Sequence, residues 1–192
     1  MITLAAVRRA LRGHWGTPAV APDARPAAVA LVLVEVENGA EVLLIRRAVR
    51  PGDPWSGQVA LPGGGREPRD RDLLATAIRE TREETGVDLR RGEPLAVLDD
   101  LAPLTRVLPP VVVRPFVFAL ARRPALRPND EVQHAFWVPL DRFAEPGLRR
   151  EVTLNVRGEE RTLPAYVVGE DVIWGMTERI LTPFLELVAK SG

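Results

Sequence analysis

Residues 79–84 read Arg-Glu-Thr-Arg-Glu-Glu, shortly after the run Pro62-Gly63-Gly64-Gly65. On a helix, Glu80, Glu83 and Glu84 stand at i, i+3 and i+4 and share one face. Like charges at that spacing destabilise an exposed helix by roughly 0.2–0.5 kcal/mol per pair, so something must offset them. Solvent together with Arg79 and Arg82 is one answer. A hard divalent cation is the other: Mg²⁺ or Mn²⁺ takes oxygen ligands, keeps several waters and accepts substrate phosphates. The glycines admit unusual φ angles and close backbone approach, which brings a carbonyl toward a cation or amides toward a phosphate. They are equally the makings of a plain surface loop. No Gly-Lys-Ser/Thr follows them, and Gly63-x-Gly65 lacks the third glycine of a dinucleotide fingerprint, so neither of those phosphate motifs applies.

Those residues need a helix behind the glycines, and the pattern supplies one. Over 72–85, Leu74, Ala77, Ile78 and Thr81 fall on one face. Asp70 or Asp72 can cap the start, and Gly86 is a natural residue just past the end. Upstream, two apolar β-branched runs flank Asn38-Gly39, a hairpin signal. A Pro/Gly-rich loop, 49–58, precedes a short strand, "VALPGG", that runs into the glycines. Downstream, "PLAVLDDL", "VVVRPFVFAL" and "VQHAFWVPL" read as strands. "EVTLNVRGEERTLPAYVV" reads as a second hairpin turning near Arg157-Gly158. Residues 2–13 form a short helix with Thr3 as its cap, and "TERILTPFLELVAK" a C-terminal one, with Pro183 expected to kink it or reset its start. Strands interleaved with helices predict a mixed α/β domain. The expected division is an N-terminal helix and linker over 1–26, then the main domain over 27–192.

The 192 residues suit one domain with appendages, and 46% are hydrophobic, enough for a core. Zero formal charge gives no global steering toward nucleic acid or an acidic membrane. Aromatics are 5% and do not interleave with a basic patch, which argues against nucleic acid as partner. No run reaches the roughly 18 apolar residues of a membrane span, so no membrane partner is expected. Cysteine is absent, removing thiolate ligands and nucleophiles and suiting a cytoplasmic location. His14 and His134 are isolated and read as structural, and Trp137 and Trp174 as core anchors. One lysine, Lys190, stands against 25 arginines, a coding bias that says nothing of function.

The glycine–helix stretch resembles the signature box of the Nudix hydrolases: a glycine, an acidic residue, then Arg-Glu-apolar-x-Glu-Glu-x-Gly-apolar. Here the second half is Arg79-Glu80-Thr81-Arg82-Glu83-Glu84-Thr85-Gly86-Val87. Thr81 replaces an apolar residue, and its methyl can still pack inward. The usual spacing puts the first acidic residue at Arg71; one residue earlier lies Asp70, with eight residues between it and Arg79. That lengthened form, together with "LLIRRAVRPGDPWSGQVALPGG", resembles the coenzyme A pyrophosphatase branch, although the run from Arg47 to Gly57 is a residue longer than usual. The resemblance covers about residues 27–188. It implies an α/β/α sandwich around a mixed central sheet, with added terminal helices.

The resemblance further implies metal-dependent hydrolysis of a nucleoside diphosphate derivative. Glu80, Glu83, Glu84 and the Gly63 carbonyl would bind Mg²⁺ or Mn²⁺, with Gly64 and Gly65 beside the substrate. Arg79 would hold a box carboxylate in register. The general base would be a box glutamate or Glu131, with Asp130 its rival. Arg46, Arg47 and Arg50 would meet phosphates, alternation along a strand sending only some inward. Ser56, Gly57 and Gln58 would supply polar contacts, and Trp55 would either stack on adenine or simply pack. The expected partner is a small nucleotide, coenzyme A first; ADP-ribose or a related compound is the rival substrate, and a non-catalytic nucleotide-binding module the rival class. A homodimer is compatible with the sequence.

Overall fold

The computed structural model describes residues 1–21, 23–52, 55–102, 110–156 and 158–191. Thr3 begins the first helix, α1 (Leu4–Ala10), its hydroxyl accepting the Ala6 N–H. Leu4, Val7 and Leu11 are buried. The strand β1 (Arg25–Val36) then starts just ahead of the boundary expected at 26/27. It returns through β2 (Gly39–Arg47). Val36 pairs with Gly39, so the two turn residues are Glu37 and Asn38, one position earlier than Asn38-Gly39. The reason lies at the N-terminus, which crosses here: Ala40 donates to the Ile2 carbonyl at 2.7 Å. A Cβ on Gly39 would stand 2.8 Å from that same carbonyl oxygen.

The glycines are not a loop. After β3 (Val59–Ala60) they form β4 (Gly63–Gly65), antiparallel to β1 with Gly63 opposite Val29 and Gly65 opposite Ala27. Helix α2 (Leu73–Thr85) follows, capped by Asp72, whose carboxylate accepts the Ala75 N–H. Gly86 closes it at φ 76°, in the left-handed region that favours glycine. Then come β5 (Glu93–Val97), β6 (Val111–Leu120) and β7 (Val132–Pro139). These seven strands make one mixed sheet. Only the β1–β6 pair is parallel; β1 meets β2 and β4, β2 meets β3 and β7, and β5 meets β6, all antiparallel.

Because β1 is central, its side chains are buried on both faces, with a period of two. Ala28, Ala30 and Val32 pack with Ala77 of α2 on one face. Leu31 and Leu33 pack on the other with Val7 of α1. Leu181 and Phe184 join that second core from α3 (Met176–Ala189), giving an α/β/α sandwich. Pro183 neither ends nor restarts α3; it lies exposed inside a continuous helix. A second sheet of three antiparallel strands, β8 (Arg149–Val156), β9 (Glu159–Val168) and β10 (Asp171–Trp174), leads into α3. The expected turn residue Arg157 lies outside the described residues. Among those residues, no helix is long and apolar enough to cross a membrane.

Candidate active site

Helix α2 turns Thr76, Ala77, Thr81, Glu84 and Thr85 toward the interior. Glu84 is therefore buried, 2% exposed, in a position that periodicity would assign to an apolar side chain. Its Oε2 accepts the Gly63 N–H at 2.8 Å, and Arg47 Nη1 stands 3.9 Å from its Oε1. Burial pushes the Glu84 carboxyl up to about 8; the Gly63 amide and Arg47 oppose the rise, and the charges of Glu80 and Glu131 add to it. Glu80 is also raised, first by burial, then by Glu83 and Glu131 against the pull of Arg79. Glu80, Glu84 and Glu131 thus lie close enough to repel one another.

Backbone approach explains the glycines. A Cβ on Gly63 would fall 2.2 Å from the Ala28 carbonyl oxygen, so the pairing of β4 with β1 excludes a side chain there. A Cβ on Gly64 would fall 2.5 Å from Cδ and Oε1 of Glu80. The bare backbone of β4 is the surface on which the Glu80 carboxylate rests.

Arg79 stands opposite, and all five of its N–H groups are donated. Nε and Nη2 grip both oxygens of Asp70 at 2.9 Å each. Nη1 reaches Glu80 at 2.8 Å and Glu83 at 3.0 Å, and Nη2 also reaches the Gly65 carbonyl at 3.0 Å. Nothing remains to donate to a substrate; the guanidinium is a hub that sets the helix carboxylates against β4. Asp70 is held well below the usual carboxylate range, chiefly by Arg79 and against its own burial, with the Glu67 N–H and the Thr76 hydroxyl assisting. It does not cap α2. Glu83 is the most open of the three box glutamates, at 43% side-chain exposure, and also meets Arg69 at 3.1 Å.

The loop before β7 is docked on the end of α2. Arg127 donates to the Thr85 carbonyl at 2.8 Å and Asn129 to the Glu84 carbonyl at 3.4 Å. A Cβ on Gly86 would meet Arg127 Cβ at 3.0 Å, a second reason for glycine there. Asn129 Oδ1 then accepts the Glu131 N–H at 3.0 Å. Sequence reading missed Arg127 and Asn129; the Asn-Asp pair ahead of a strand was the available turn signal. Glu131 pairs with Arg50 at 3.1 Å, and Asp130 offers Arg50 only its carbonyl.

The arginines of β2 divide by strand parity. Val42 and Leu44 face α1 and α3, whereas Leu43 faces α2. Arg46 follows the first pair and bonds Asp171 of β10, while Arg47 follows Leu43 toward Glu84. Arg46 is therefore not brought together with the carboxylates. It lines an open hollow on the opposite face with His134, Gly169 and Asp171. His134 packs its ring 4.8 Å from that of Phe136. Ser56 Oγ accepts the Arg50 N–H at 2.7 Å, and the Gln58 carbonyl accepts the Arg47 N–H at 2.9 Å, so both serve the loop's own backbone. Gly57, at φ 71°, turns this loop, and Trp55 is half-buried within it.

A hard divalent cation fits the donor chemistry of this site. Glu80 and Glu84 offer carboxylate oxygens, and burial raises the energy of their charge. As the side chains stand, Arg79 draws Glu80 and Glu83 to itself, and among the described residues no three acids or histidines converge on one ion position. Binding an ion requires those carboxylates to exchange partners.

A family model described as "NUDIX domain" matches residues 24–155. Protein C14C4.10c of Schizosaccharomyces pombe is 36% identical over 132 residues, 66% of this chain, which spans 40% of that protein. The human mitochondrial coenzyme A diphosphatase NUDT8 is 32% identical over 171 residues, 86% of this chain and 71% of the relative. A crystal structure of a MutT/nudix family protein from Enterococcus faecalis superposes with TM-score 0.60 at 23% identity, over 90% of this chain and 64% of that one. A likeness at that identity speaks for the fold alone.

Proposed function

This chain belongs to the Nudix family of hydrolases, and on that premise we propose that it hydrolyses the pyrophosphate bond of coenzyme A to 3′,5′-ADP and 4′-phosphopantetheine. The observation that carries hydrolysis is the Glu84 carboxylate, buried against the Gly63 amide with Glu80 on Gly64 beside it. A buried Glu84 with the partly buried Glu80 repelling it costs stability that a hydrolytic role would justify. Support for coenzyme A is the similarity to a coenzyme A diphosphatase over 86% of this chain.

Glu80, Glu83 and Glu84, with the Gly63 carbonyl, are the residues that would hold Mg²⁺ or Mn²⁺. When bound, the ion supplies neutralisation of the diphosphate charge and activation of water. The chain's own work is positioning, the larger part of phosphoryl-transfer catalysis. Arg79, fixed by Asp70, sets the register of Glu80 and Glu83. Gly63 and Gly64 bring the backbone to the carboxylates. Arg47 lies on the catalytic face, where its charge favours a phosphate. Glu131, within electrostatic reach of Glu80 and Glu84, would take a proton from water, and its partner Arg50 would be a second phosphate cation. The departing group is itself a phosphate ester, so a strong general acid is unnecessary.

The test is a substrate panel of coenzyme A, ADP-ribose and dinucleoside polyphosphates with Mg²⁺ or Mn²⁺, products resolved chromatographically. Coenzyme A should turn over fastest and release 3′,5′-ADP. Equal turnover of ADP-ribose would remove the coenzyme A assignment, and binding without turnover would point to a regulatory module.

A further inference from the structure

Arg50 and Glu131 form an ion pair at 3.1 Å whose side chains are 48% and 49% exposed. Both backbones are fixed. Arg50 donates its N–H to Ser56 Oγ at 2.7 Å. Glu131 donates its N–H to Asn129 Oδ1 at 3.0 Å, and its carbonyl accepts the Ala48 N–H at 2.8 Å. Only the two side-chain ends are free to change partners, and they meet where solute can reach them. An exposed pair of this kind is weak. A phosphate offers a guanidinium a doubly bonded, charged alternative.

The same glutamate acts electrostatically on both Glu80 and Glu84. One cation therefore stands between an acid of the catalytic group and any incoming anion. We infer that Arg50 is a shared cation: it holds Glu131 in the free protein and passes to a phosphate oxygen of a nucleoside diphosphate substrate on binding, releasing Glu131 beside Glu80 and Glu84. The inference rests on the hydrolase reading above and adds coupling to it. Glu131 is a competitor for the substrate's cation, and Arg50 is the positioning residue that keeps Glu131 occupied until substrate arrives.

The sign of one effect separates this from a structural pair. Calorimetric titration of the full chain with α,β-methylene-ADP and Mg²⁺ reads binding without turnover. Glu131→Gln should tighten binding by about 2- to 5-fold, the equivalent of releasing one exposed ion pair. Arg50→Ala should weaken it, Arg50→Lys should restore part of the loss, and Glu131→Gln should add nothing in the Arg50→Ala background. With coenzyme A as substrate, Glu131→Gln should lower KM and kcat together. Unchanged or weaker analogue binding by Glu131→Gln overturns the shared cation, as does a full gain in the Arg50→Ala background. Coenzyme A hydrolysis with no such tightening sinks this inference alone. The expected binding pattern without coenzyme A hydrolysis sinks the substrate assignment and leaves the shared cation standing. No analogue binding by the wild type overturns the shared cation and leaves the substrate assignment to coenzyme A hydrolysis.

Discussion

Replacing Gly64 by alanine isolates the placement of one carboxylate from the stability of the fold. The new Cβ would stand 2.5 Å from Cδ and Oε1 of Glu80. Ordinary carbon contacts begin near 3.5 Å, so the carboxylate must retreat by about 1 Å. It is the far end of a flexible side chain and can do so, while the strand behind it has no reason to move. Gly64 is not among the glycines with positive φ, and alanine in a strand gains roughly 0.5–1 kcal/mol over glycine. Stability should therefore stay within about 1 kcal/mol of wild type, a few degrees in Tm. A displacement of about 1 Å in a reacting group costs on the order of 100-fold in rate. Steady-state pyrophosphate hydrolysis under saturating Mn²⁺ and a thermal melt of the same sample read the two effects separately. The neighbours serve as controls. Alanine at Gly63 meets backbone, Ala28 O at 2.2 Å and Val29 Cα at 2.5 Å, and should lose roughly 2–4 kcal/mol of stability. Alanine at Gly65 meets nothing within 4 Å and should behave as wild type in both assays. Wild-type kcat in Gly64→Ala would refute the claim that β4 is the seat of Glu80. A loss of stability matching Gly63→Ala would refute the claim that only the side chain yields.

Glu84→Gln should lower kcat by orders of magnitude while stabilising the metal-free protein at alkaline pH. The folded carboxyl is raised to about 8 from 4.5, so Glu84's contribution is fully present below about pH 4.5 and is lost as pH rises through about 8; melts in EDTA from pH 4.5 to 9 should fall for wild type and flatten for the variant. Asp70→Asn removes an acceptor from Arg79 and should cost about 1–3 kcal/mol at neutral pH. Because the Asp70 carboxyl is depressed in the fold, that advantage of wild type should fade as acid titration passes below about pH 4, which denaturant midpoints at pH 3 and 7 would check. Strand parity separates the arginines: Arg47→Ala should lose about 10-fold or more in kcat/KM, and Arg46→Ala should stay within about 2-fold, in the same hydrolysis assay.

The glutamate-bearing helix α2 was legible because its signals are local. The Asp72 cap, the αL residue Gly86 and the i, i+3, i+4 spacing of the glutamates all lie within one segment, and the structure reproduces the segment. What was not legible depends on partners distant in sequence. The three glycines carry no side chains to show strand alternation, so their membership of the sheet appears only when β1 is beside them. The hairpin is offset by one residue because Ile2 occupies the space over Gly39, a contact that no window around residue 38 contains. Arg46 and Arg47 are chemically equivalent in the sequence; only the register of β2 assigns one to Asp171 and the other to Glu84. The docking of 127–131 on the end of α2 is likewise a tertiary fact, and it brings Glu131 to the box.

The acids of this region fall into two groups with opposite electrostatic histories. Asp70 and Glu83 face a guanidinium that is fully used, and Asp70 is stabilised as an anion. Glu84 and Glu80 lie within electrostatic reach of the exposed Glu131, and both resist ionisation, chiefly through burial. Glu80 belongs to both groups, with Oε1 on Arg79 and its carboxylate in the space that a Gly64 side chain would fill. A sequence selected for stability alone would not bury Glu84 opposite a glycine amide, with Arg47 nearly 4 Å away, when an apolar residue fits the same face of α2. The division explains the arrangement: Arg79 fixes geometry on one side, and on the other burial holds Glu84 against ionisation. A positive charge brought to Glu84 would favour its ionised form, offset that burial and bind the more strongly for it.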